Sequence, residues 1–216
     1  MKKFSFNFLA EAPSSFLKTF GGQRLISHGR PRPPGLESAE QVREAVEGTL
    51  KDGAVSIVDS SRFGEFEETG YGEREGKKLL LKDFETLYLA YAGKLKVKDG
   101  RGHEVSFEKL SEDAQLRAKD SWTKFIIYRD LRSRGYVVKD GFGFGTDLRI
   151  YERGDFPSKA AKFVVFALDE GTEKSVGDLR DSVRQIVKMG KEAIVAVIER
   201  RGEVIYYKVG KANFRK

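Results

Sequence analysis

The stretch YRDLRSRGYVVKDGFGFGTDLRIYERG, residues 128–154, decides the fold of the C-terminal half of this 216-residue chain. It begins as the end of a helix, and Gly135 ends that helix because glycine readily takes the left-handed conformation found at helix C-termini. Residues 136–138 and 146–152 are short β-rich runs on either side of a glycine-rich turn. The stretch therefore predicts a helix that leads into two strands of a sheet.

The sequence on either side of this stretch supplies the rest of a mixed sheet and its helices. Apolar residues recur at helical spacing over residues 176–187, Ser175 with Asp178 has the form of a capping box, and Gly190 ends the helix. Further strands are predicted at residues 162–168, 193–198 and 203–209. A long helix is predicted from Ser111 onward, with an apolar face that comprises Trp122, Phe125, Ile126, Tyr128 and Leu131.

The N-terminal half has shorter elements and more frequent breaks. Residues 27–35 are rich in proline and glycine, which favours an exposed linker or arm. Beyond them the sequence predicts a helix over 38–47, a strand over 54–58, a glycine-rich turn region over 64–76, a helix over 79–91 and a strand over 94–98.

Together these elements predict an α/β (α+β) fold in two domains. Residues 1–36 form an arm or linker of uncertain structure, residues 37–110 a small α+β domain, and residues 111–216 a larger domain with a mixed sheet flanked by helices.

Composition narrows the possible functions. Hydrophobic residues make up 39% and charged residues 34%, which is typical of a globular protein with a highly charged surface. No apolar run approaches a membrane span or a signal peptide, so we expect a cytoplasmic protein that makes no membrane contact. With no cysteine and only His28 and His103, thiolate metal sites and disulfides are excluded, and any chemistry is metal-poor or based on carboxylates.

The positive charge is concentrated in the second half. Of the net charge of +7, residues 111–216 carry +6, from 22 lysines and arginines against 16 acidic residues. Such a half favours a polyanionic partner, because lysine and arginine contacts to phosphates supply most non-specific affinity for nucleic acids. A basic surface that is merely solvated is an equally good interpretation of the charge alone.

Residues 128–154 resemble the corresponding segment of archaeal tRNA-intron splicing endonucleases. The resemblance continues through AKFVVFALDEG, SVRQIVKMGKEAIVAVI and GEVIYY, and GYGEREGKKLLLKDFETLYLAYAGKL is similar to the family's N-terminal domain. It covers roughly residues 65–209 and does not explain the arm up to residue 36. It implies a nuclease-like C-terminal domain that cuts precursor tRNA at bulge-helix-bulge motifs without metal or other cofactor, leaving 2′,3′-cyclic phosphate and 5′-hydroxyl ends.

The resemblance also assigns roles to single residues through the family's tyrosine, histidine and lysine triad. Tyr151 in LRIYERG matches the tyrosine, which takes the proton from the attacking 2′-hydroxyl. Because the ordinary pKa of tyrosine is near 10, this role requires nearby positive charge. Lys191 matches the lysine that supplies this charge and stabilises the phosphorane. The alternatives are a strand tyrosine with a satisfied hydroxyl and a solvated lysine at a helix C-terminus.

The third triad position departs from the family pattern. Where the resemblance implies a histidine, this sequence has Ala160, which has no proton to give to the leaving group. The neighbouring Lys159 is a poor substitute, because an ordinary lysine pKa is near 10.4. We therefore expect a chain that is inactive or severely impaired. Retention of Tyr151 and Lys191 favours a deliberate inactivating replacement of histidine over natural loss.

The resemblance implies RNA contacts and an assembly as well. Arg184 matches an arginine that stacks on a bulged base, within a basic stripe of Arg180, Arg184 and Lys188 that is otherwise a solvated helix face. The family forms dimers and tetramers, homomeric or with a second, structural subunit. Tyr206 and Tyr207 on the last strand and Asp169 and Glu170 in an acidic loop would form the contacts, the alternatives being an ordinary edge strand and a solvated turn.

Two rival functions remain on the sequence alone. One is a non-catalytic subunit of the same assembly that only binds RNA or completes the structure. The other is a metal-dependent DNA nuclease in which Asp147 and Lys162 are remnants of the site. The second rival requires another carboxylate near residue 160, and the sequence has none there.

Overall fold

The computed structural model describes residues 45–143 and 145–211, together with the backbone of one short strand, β1 (Lys3–Phe4). The arm predicted at residues 1–36 and most of the helix predicted at 38–47 lie outside the residues whose side chains are described.

The first half of the described chain forms a five-stranded mixed sheet with helices against it. Its strands are β2 (Val46–Lys51), β3 (Ala54–Ile57), β4 (Glu73–Glu75), β5 (Lys78–Leu81) and β6 (Leu95–Lys98), in the order β4-β5-β3-β2-β6. Its helices are α1 (Phe63–Glu68), α2 (Asp83–Tyr91) and α3 (Phe107–Arg117), with a 3₁₀ turn at Ser60–Arg62. Strands β2 and β6 pair parallel, and the other neighbouring strands pair antiparallel.

Three predictions for this half are wrong. Val46 begins a strand rather than ending a helix, because β2 is paired on both sides, with β3 and with β6. Residues 64–76, predicted as a turn region, contain helix α1 and strand β4. The helix predicted at 79–91 is a strand followed by a helix, because Lys82 takes an extended conformation (φ −71°, ψ 158°) between β5 and α2. The predicted strands at 54–58 and 94–98 are confirmed as β3 and β6.

The second half builds a sheet of five strands in the order β12-β11-β9-β8-β7. Its elements are α4 (Ser121–Ser133), β7 (Val137–Gly143), β8 (Thr146–Tyr151), β9 (Phe163–Asp169), β10 (Lys174–Ser175), α5 (Val176–Lys188), β11 (Glu192–Ile198) and β12 (Val204–Val209). Strands β9 and β11 pair parallel and α5 connects them, whereas the other neighbours are antiparallel. The short β10 pairs with β1 outside this sheet.

Most predictions for this half are confirmed. The predicted strands all appear, and Ser175 caps α5 by accepting a hydrogen bond from the Asp178 amide (3.4 Å). The single long helix predicted from Ser111 is wrong, because Ala118 is extended (φ −146°, ψ 119°) and separates α3 from α4. Of the predicted apolar face, Trp122 is exposed and the other members are buried.

The sheet of the second half is covered on both faces. Helix α4 packs on one face, where Phe125 and Tyr128 join the main core that also includes residues of α2 and of the first sheet. Helix α5 packs on the other face through a smaller core of Val164, Phe166, Val183, Ile186 and Ala193. Two mixed sheets with helices confirm the predicted α+β fold.

The two halves also meet through buried charges. Glu85 of α2 is 1% exposed and accepts hydrogen bonds from the amides of Gly72 and Lys82. Lys139 of β7 is 9% exposed and donates to the Gly72 carbonyl oxygen at 2.7 Å. Burial raises the pKa of the Glu85 carboxyl and lowers the pKa of the Lys139 ammonium, and each charge opposes the shift of the other.

No helix in the described part of the chain is long and apolar enough to cross a membrane.

Candidate active site

Strand register brings two of the predicted site residues to the same end of the second sheet. Tyr151 is the last residue of β8, whose Ile150 pairs with Phe163 at the start of β9. Phe163 in turn pairs with Glu192 at the start of β11, immediately after Lys191. Adjacent strands are about 4.8 Å apart, so Tyr151 and Lys191 lie roughly 10 Å apart across the sheet.

The end of helix α5 positions Lys191. Gly190 has a positive φ of 70°, its amide donates to the Val187 carbonyl, and the Lys191 amide donates to the Ile186 carbonyl at 3.1 Å. This is the Schellman arrangement that terminates helices. The Lys191 ammonium is half-buried and donates to the Ala161 carbonyl oxygen at 2.5 Å. The lysine therefore lies directly beside the position where the triad histidine was expected.

Ala160 itself lies in a loop, residues 152–162, that joins Tyr151 to β9. The loop is fixed by an ion pair of Lys159 with Asp155 (2.6 Å) and by another of Lys162 with Glu152 (2.7 Å). Phe156 of the loop packs edge-on against the Tyr151 ring, with 5.0 Å between centroids. Ala160 is exposed, so a larger side chain can be accommodated there without disturbing a core.

A β-bulge in the hairpin of β7 and β8 changes the direction of an aromatic side chain. The pairing of β7 with β8 shifts between Asp140 and Gly143. In a regular strand, Lys139 and Phe142 would point to opposite faces of the sheet, because successive side chains alternate. The bulge interrupts this alternation, so Phe142 points to the same face as Lys139 and as Arg149, the residue that pairs with Lys139 on β8. Gly141 is required inside the bulge, since a Cβ there would lie 2.5 Å from the Thr146 carbonyl oxygen.

Two cations lie close to the Phe142 ring. The Arg149 guanidinium is 5.0 Å and the Lys191 ammonium 5.4 Å from the centroid of its ring. Within the described residues, neither cation forms an ion pair with a carboxylate, which distinguishes them from Lys159 and Lys162 in the adjoining loop. The surroundings of the Phe142 ring are therefore basic and suited to an anion.

The predicted RNA-binding residues lie on the exposed face of α5. Arg180 and Arg184 are both exposed, and both approach the Asp181 carboxylate, at 2.9 Å and 3.6 Å. Lys188 is exposed one turn further on. The helix that presents these side chains ends at Lys188, three residues before Lys191, so the basic stripe leads towards Lys191.

The residues predicted for assembly are in different environments. Tyr206 of the edge strand β12 is half-buried and donates its hydroxyl to Asp130 (2.7 Å), whereas Tyr207 is 43% exposed. Asp169 accepts a hydrogen bond from the Thr123 hydroxyl (2.5 Å), and Glu170 pairs with Arg200 (3.1 Å). Tyr207 thus has the most accessible side chain of the aromatic pair, and both acidic side chains have partners within the chain.

The two remnants proposed for a metal-dependent site do not lie together. Asp147 accepts from the Ala167 amide at 2.7 Å, whereas Lys162 precedes Phe163 at the other end of β9. Four register positions separate them, about 13 Å along the sheet. In the part of the chain that the structure describes, no group of three or more histidine, cysteine or acidic residues is arranged to hold a metal ion.

Arg149 and Phe142 lie near the candidate site residues, and the sequence interpretation missed both. Strand alternation could have found Arg149, because it lies two residues before Tyr151 and therefore shares its face. Phe142 could not be found in this way, since its direction depends on the bulge.

Comparison with known proteins gives the class of protein to which this architecture belongs. Residues 121–206 match the model of the tRNA intron endonuclease catalytic C-terminal domain, and residues 46–111 match the model of the tRNA intron endonuclease N-terminal domain. Both halves are thus endonuclease domains, and the candidate site lies within the catalytic one.

Curated relatives of this chain are tRNA-splicing endonucleases. The chain is 30% identical over 168 residues to a tRNA-splicing endonuclease of Methanococcus vannielii, which covers 78% of this chain and 95% of the relative. It is 34% identical over 145 residues to the tRNA-splicing endonuclease of Pyrococcus furiosus and 35% over 144 residues to that of Thermococcus onnurineus. These alignments cover 67% of this chain and 83% and 82% of those relatives. The chain belongs to the tRNA intron endonuclease family.

Proposed function

We propose that this chain is a subunit of an endonuclease that excises introns from precursor tRNA at bulge-helix-bulge motifs, and that its own site lacks the general acid. The relatives that align with most of the chain are named tRNA-splicing endonucleases. The observation that carries the proposal is the placement of Tyr151 and Lys191 on one end of the sheet, with the Lys191 ammonium against the residue-160 loop.

In the proposed reaction, no metal takes part. Tyr151 accepts the proton of the 2′-hydroxyl, the 2′-oxygen bonds to phosphorus, and Lys191 stabilises negative charge on the non-bridging oxygens. The bond from phosphorus to the 5′-oxygen then breaks, leaving a 2′,3′-cyclic phosphate. The departing 5′-oxygen needs a proton to become a 5′-hydroxyl.

The missing step is this last protonation. Ala160 carries no acidic group, and the hydrogen bond and ion pair to Asp155 raise the pKa of Lys159, which makes its ammonium a still weaker acid. We therefore interpret Ala160 as an inactivating replacement of histidine in a site that retains its base and its stabilising cation.

Restoring the acid tests the proposal. Ala160→His is expected to raise cleavage of a bulge-helix-bulge RNA by about 10²–10⁴-fold, the usual contribution of a general acid. The rate should fall as pH rises through the histidine pKa, near 6.5, because only the protonated imidazole can donate. Ala160→Asn, similar in size but unable to titrate, is the matched control and should remain inactive. If Ala160→His binds the RNA and does not cut it, the catalytic proposal is wrong.

A second candidate is a structural or RNA-binding subunit in which the site is never used. Ala160 itself favours this role, and the exposed Arg180, Arg184 and Lys188 would then contribute RNA affinity alone. The exposed Tyr207 on β12 and the acidic residues 169–170 are proposed as its contacts in a dimer or tetramer. The mass of the purified chain in solution distinguishes a homotetramer from a subunit that needs a different partner.

A further inference from the structure

Arg149 is a half-buried arginine with an unusual environment. Its Nε atom is buried and has no hydrogen-bond partner in the part of the chain that the structure describes. A buried donor without a partner costs about 1–3 kcal/mol, and more when the group is charged. Buried polar groups in native proteins are nearly always satisfied, so an exception of this kind calls for a ligand or a special role.

The position of Arg149 indicates what that ligand is. Arg149 lies two residues before Tyr151 on β8, and its guanidinium is beside the Phe142 ring that also adjoins Lys191. Because both cations are measured from one ring centroid, they lie within about 10 Å of each other. Like charges repel at this distance, and no carboxylate among the described residues pairs with either one.

Phe142 holds the guanidinium in place without neutralising it. A guanidinium above an aromatic ring is attracted to the ring face. Its N–H groups point outward in the plane of the guanidinium, and the ring accepts none of these hydrogen bonds. Because Nε is buried, an anion would reach the half-buried guanidinium of Arg149 through its Nη groups, and a phosphate matches the geometry of these planar donors.

We propose that Arg149 binds a backbone phosphate of the RNA next to the phosphodiester that faces Tyr151 and Lys191. The role rests on the proposed function, because RNA is the anion that such a subunit would hold. Arg149 acts in binding, through a phosphate contact that is independent of the missing acid. The contribution of Arg149 to RNA binding can therefore be measured in the unaltered chain, which has Ala160.

The experiment measures binding of a bulge-helix-bulge RNA with 2′-deoxy substitutions at the cut positions, as a function of salt concentration. For Arg149→Gln we expect about tenfold weaker binding and a salt slope smaller by about one, as for the loss of one phosphate contact. Arg149→Lys keeps the charge and should keep the slope while losing part of the affinity. Arg101→Gln removes the same charge from an exposed turn of the first half and should change neither quantity.

The outcomes separate the two proposals. If Arg149→Gln binds RNA with the affinity and slope of Arg101→Gln, the phosphate contact is wrong and the proposed function stands. If the unaltered chain shows no salt-dependent RNA binding, both fall. A drop in the unfolding midpoint of Arg149→Gln with unchanged RNA binding would mean a purely structural arginine. If Arg149→Gln does not fold, Arg149→Met replaces it, because methionine retains apolar packing on Phe142. The affinity and the salt slope are then measured in the same way and interpreted by the same outcomes.

Discussion

Two lysines at the second sheet, Lys139 on β7 and Lys191 beside β11, are in opposite electrostatic situations. Lys139 is 9% exposed, donates to the Gly72 carbonyl and is attracted by the buried Glu85 carboxylate. Lys191 is half-buried and donates to the Ala161 carbonyl, and it has no acidic partner among the described residues. The first charge is balanced within the protein, whereas the second is not.

This difference helps to separate structural from functional charge in this molecule. A buried cation with its own anion joins the two halves, and removing it leaves the anion stranded. A cation without an anion contributes little to folding and is free to meet the charge of a ligand. The same distinction holds for Arg134, paired with Asp130 at 2.8 Å, and for Arg149, which forms no ion pair with a described residue.

The largest effect on stability is expected from Lys139→Met. It should lower the free energy of unfolding by about 3 kcal/mol at neutral pH, because Glu85 then remains buried without its cation. The folded-state pKa of Glu85 is raised, so this carboxyl favours the folded state in its protonated form, and that stability is lost as pH rises. The deficit of Lys139→Met should therefore shrink as pH is lowered towards the ordinary glutamate pKa. Urea unfolding at several pH values measures it.

Lys98→Met is the matched control for this prediction. Lys98 pairs with Glu47 at 2.5 Å, but both side chains are exposed. Exposed pairs contribute at most about 1 kcal/mol. If Lys139→Met lowers the free energy of unfolding no more than Lys98→Met does, the buried Lys139 charge does not stabilise the fold.

The next effect concerns Lys191 and is expected in rate. In the Ala160→His chain, Lys191→Met should lower single-turnover cleavage by about 10²–10³-fold, as for the loss of one group that stabilises transition-state charge. The free energy of unfolding should change by no more than about 1 kcal/mol, since one hydrogen bond is lost. Lys119→Met, on an exposed residue between α3 and α4, should leave both quantities unchanged. A large loss of stability with an unchanged rate would reverse the assignments of the two lysines.

The smallest effect is expected from Tyr206→Phe, which tests a partnered group on the edge strand. Loss of its hydrogen bond to Asp130 should cost about 1 kcal/mol at pH 7. Burial raises the pKa of Tyr206 well above 10, so the protonated hydroxyl stabilises the fold below pH 10, and this stability is lost as pH rises further. The unaltered chain should therefore lose more stability above pH 10 than Tyr206→Phe does. Tyr91→Phe, on a residue 47% exposed, should behave like the unaltered chain at every pH.

An element of the fold was predictable where its local sequence pattern fits only one type of secondary structure. Helix α5 was predicted with its cap, because Ser175, Asp178 and Gly190 all indicate the same boundaries. Residues 79–91 were mispredicted because leucines at 79 and 81 fit either a helix or an alternating strand. Pairing of β5 with β3 and β4, which no local pattern contains, decides between the two.

The residues of the candidate site could be named from the sequence, but their arrangement could not. Tyr151 and Lys191 are forty positions apart, and they share a sheet end only through the parallel register of β9 and β11. The direction of the Phe142 side chain depends on a bulge. Whether Arg149 has a hydrogen-bond partner among the described residues depends on which side chains the fold brings near it. Such properties arise from tertiary packing and have no signature in a single sequence.

Ala160 is exposed in a loop that is fixed by other residues, and this has an evolutionary consequence. A change of side chain there removes no core contact and breaks no ion pair, so folding imposes almost no selection on the position. Under the proposed function, one substitution at residue 160 would remove or restore the general acid and leave the proposed RNA and subunit contacts in place.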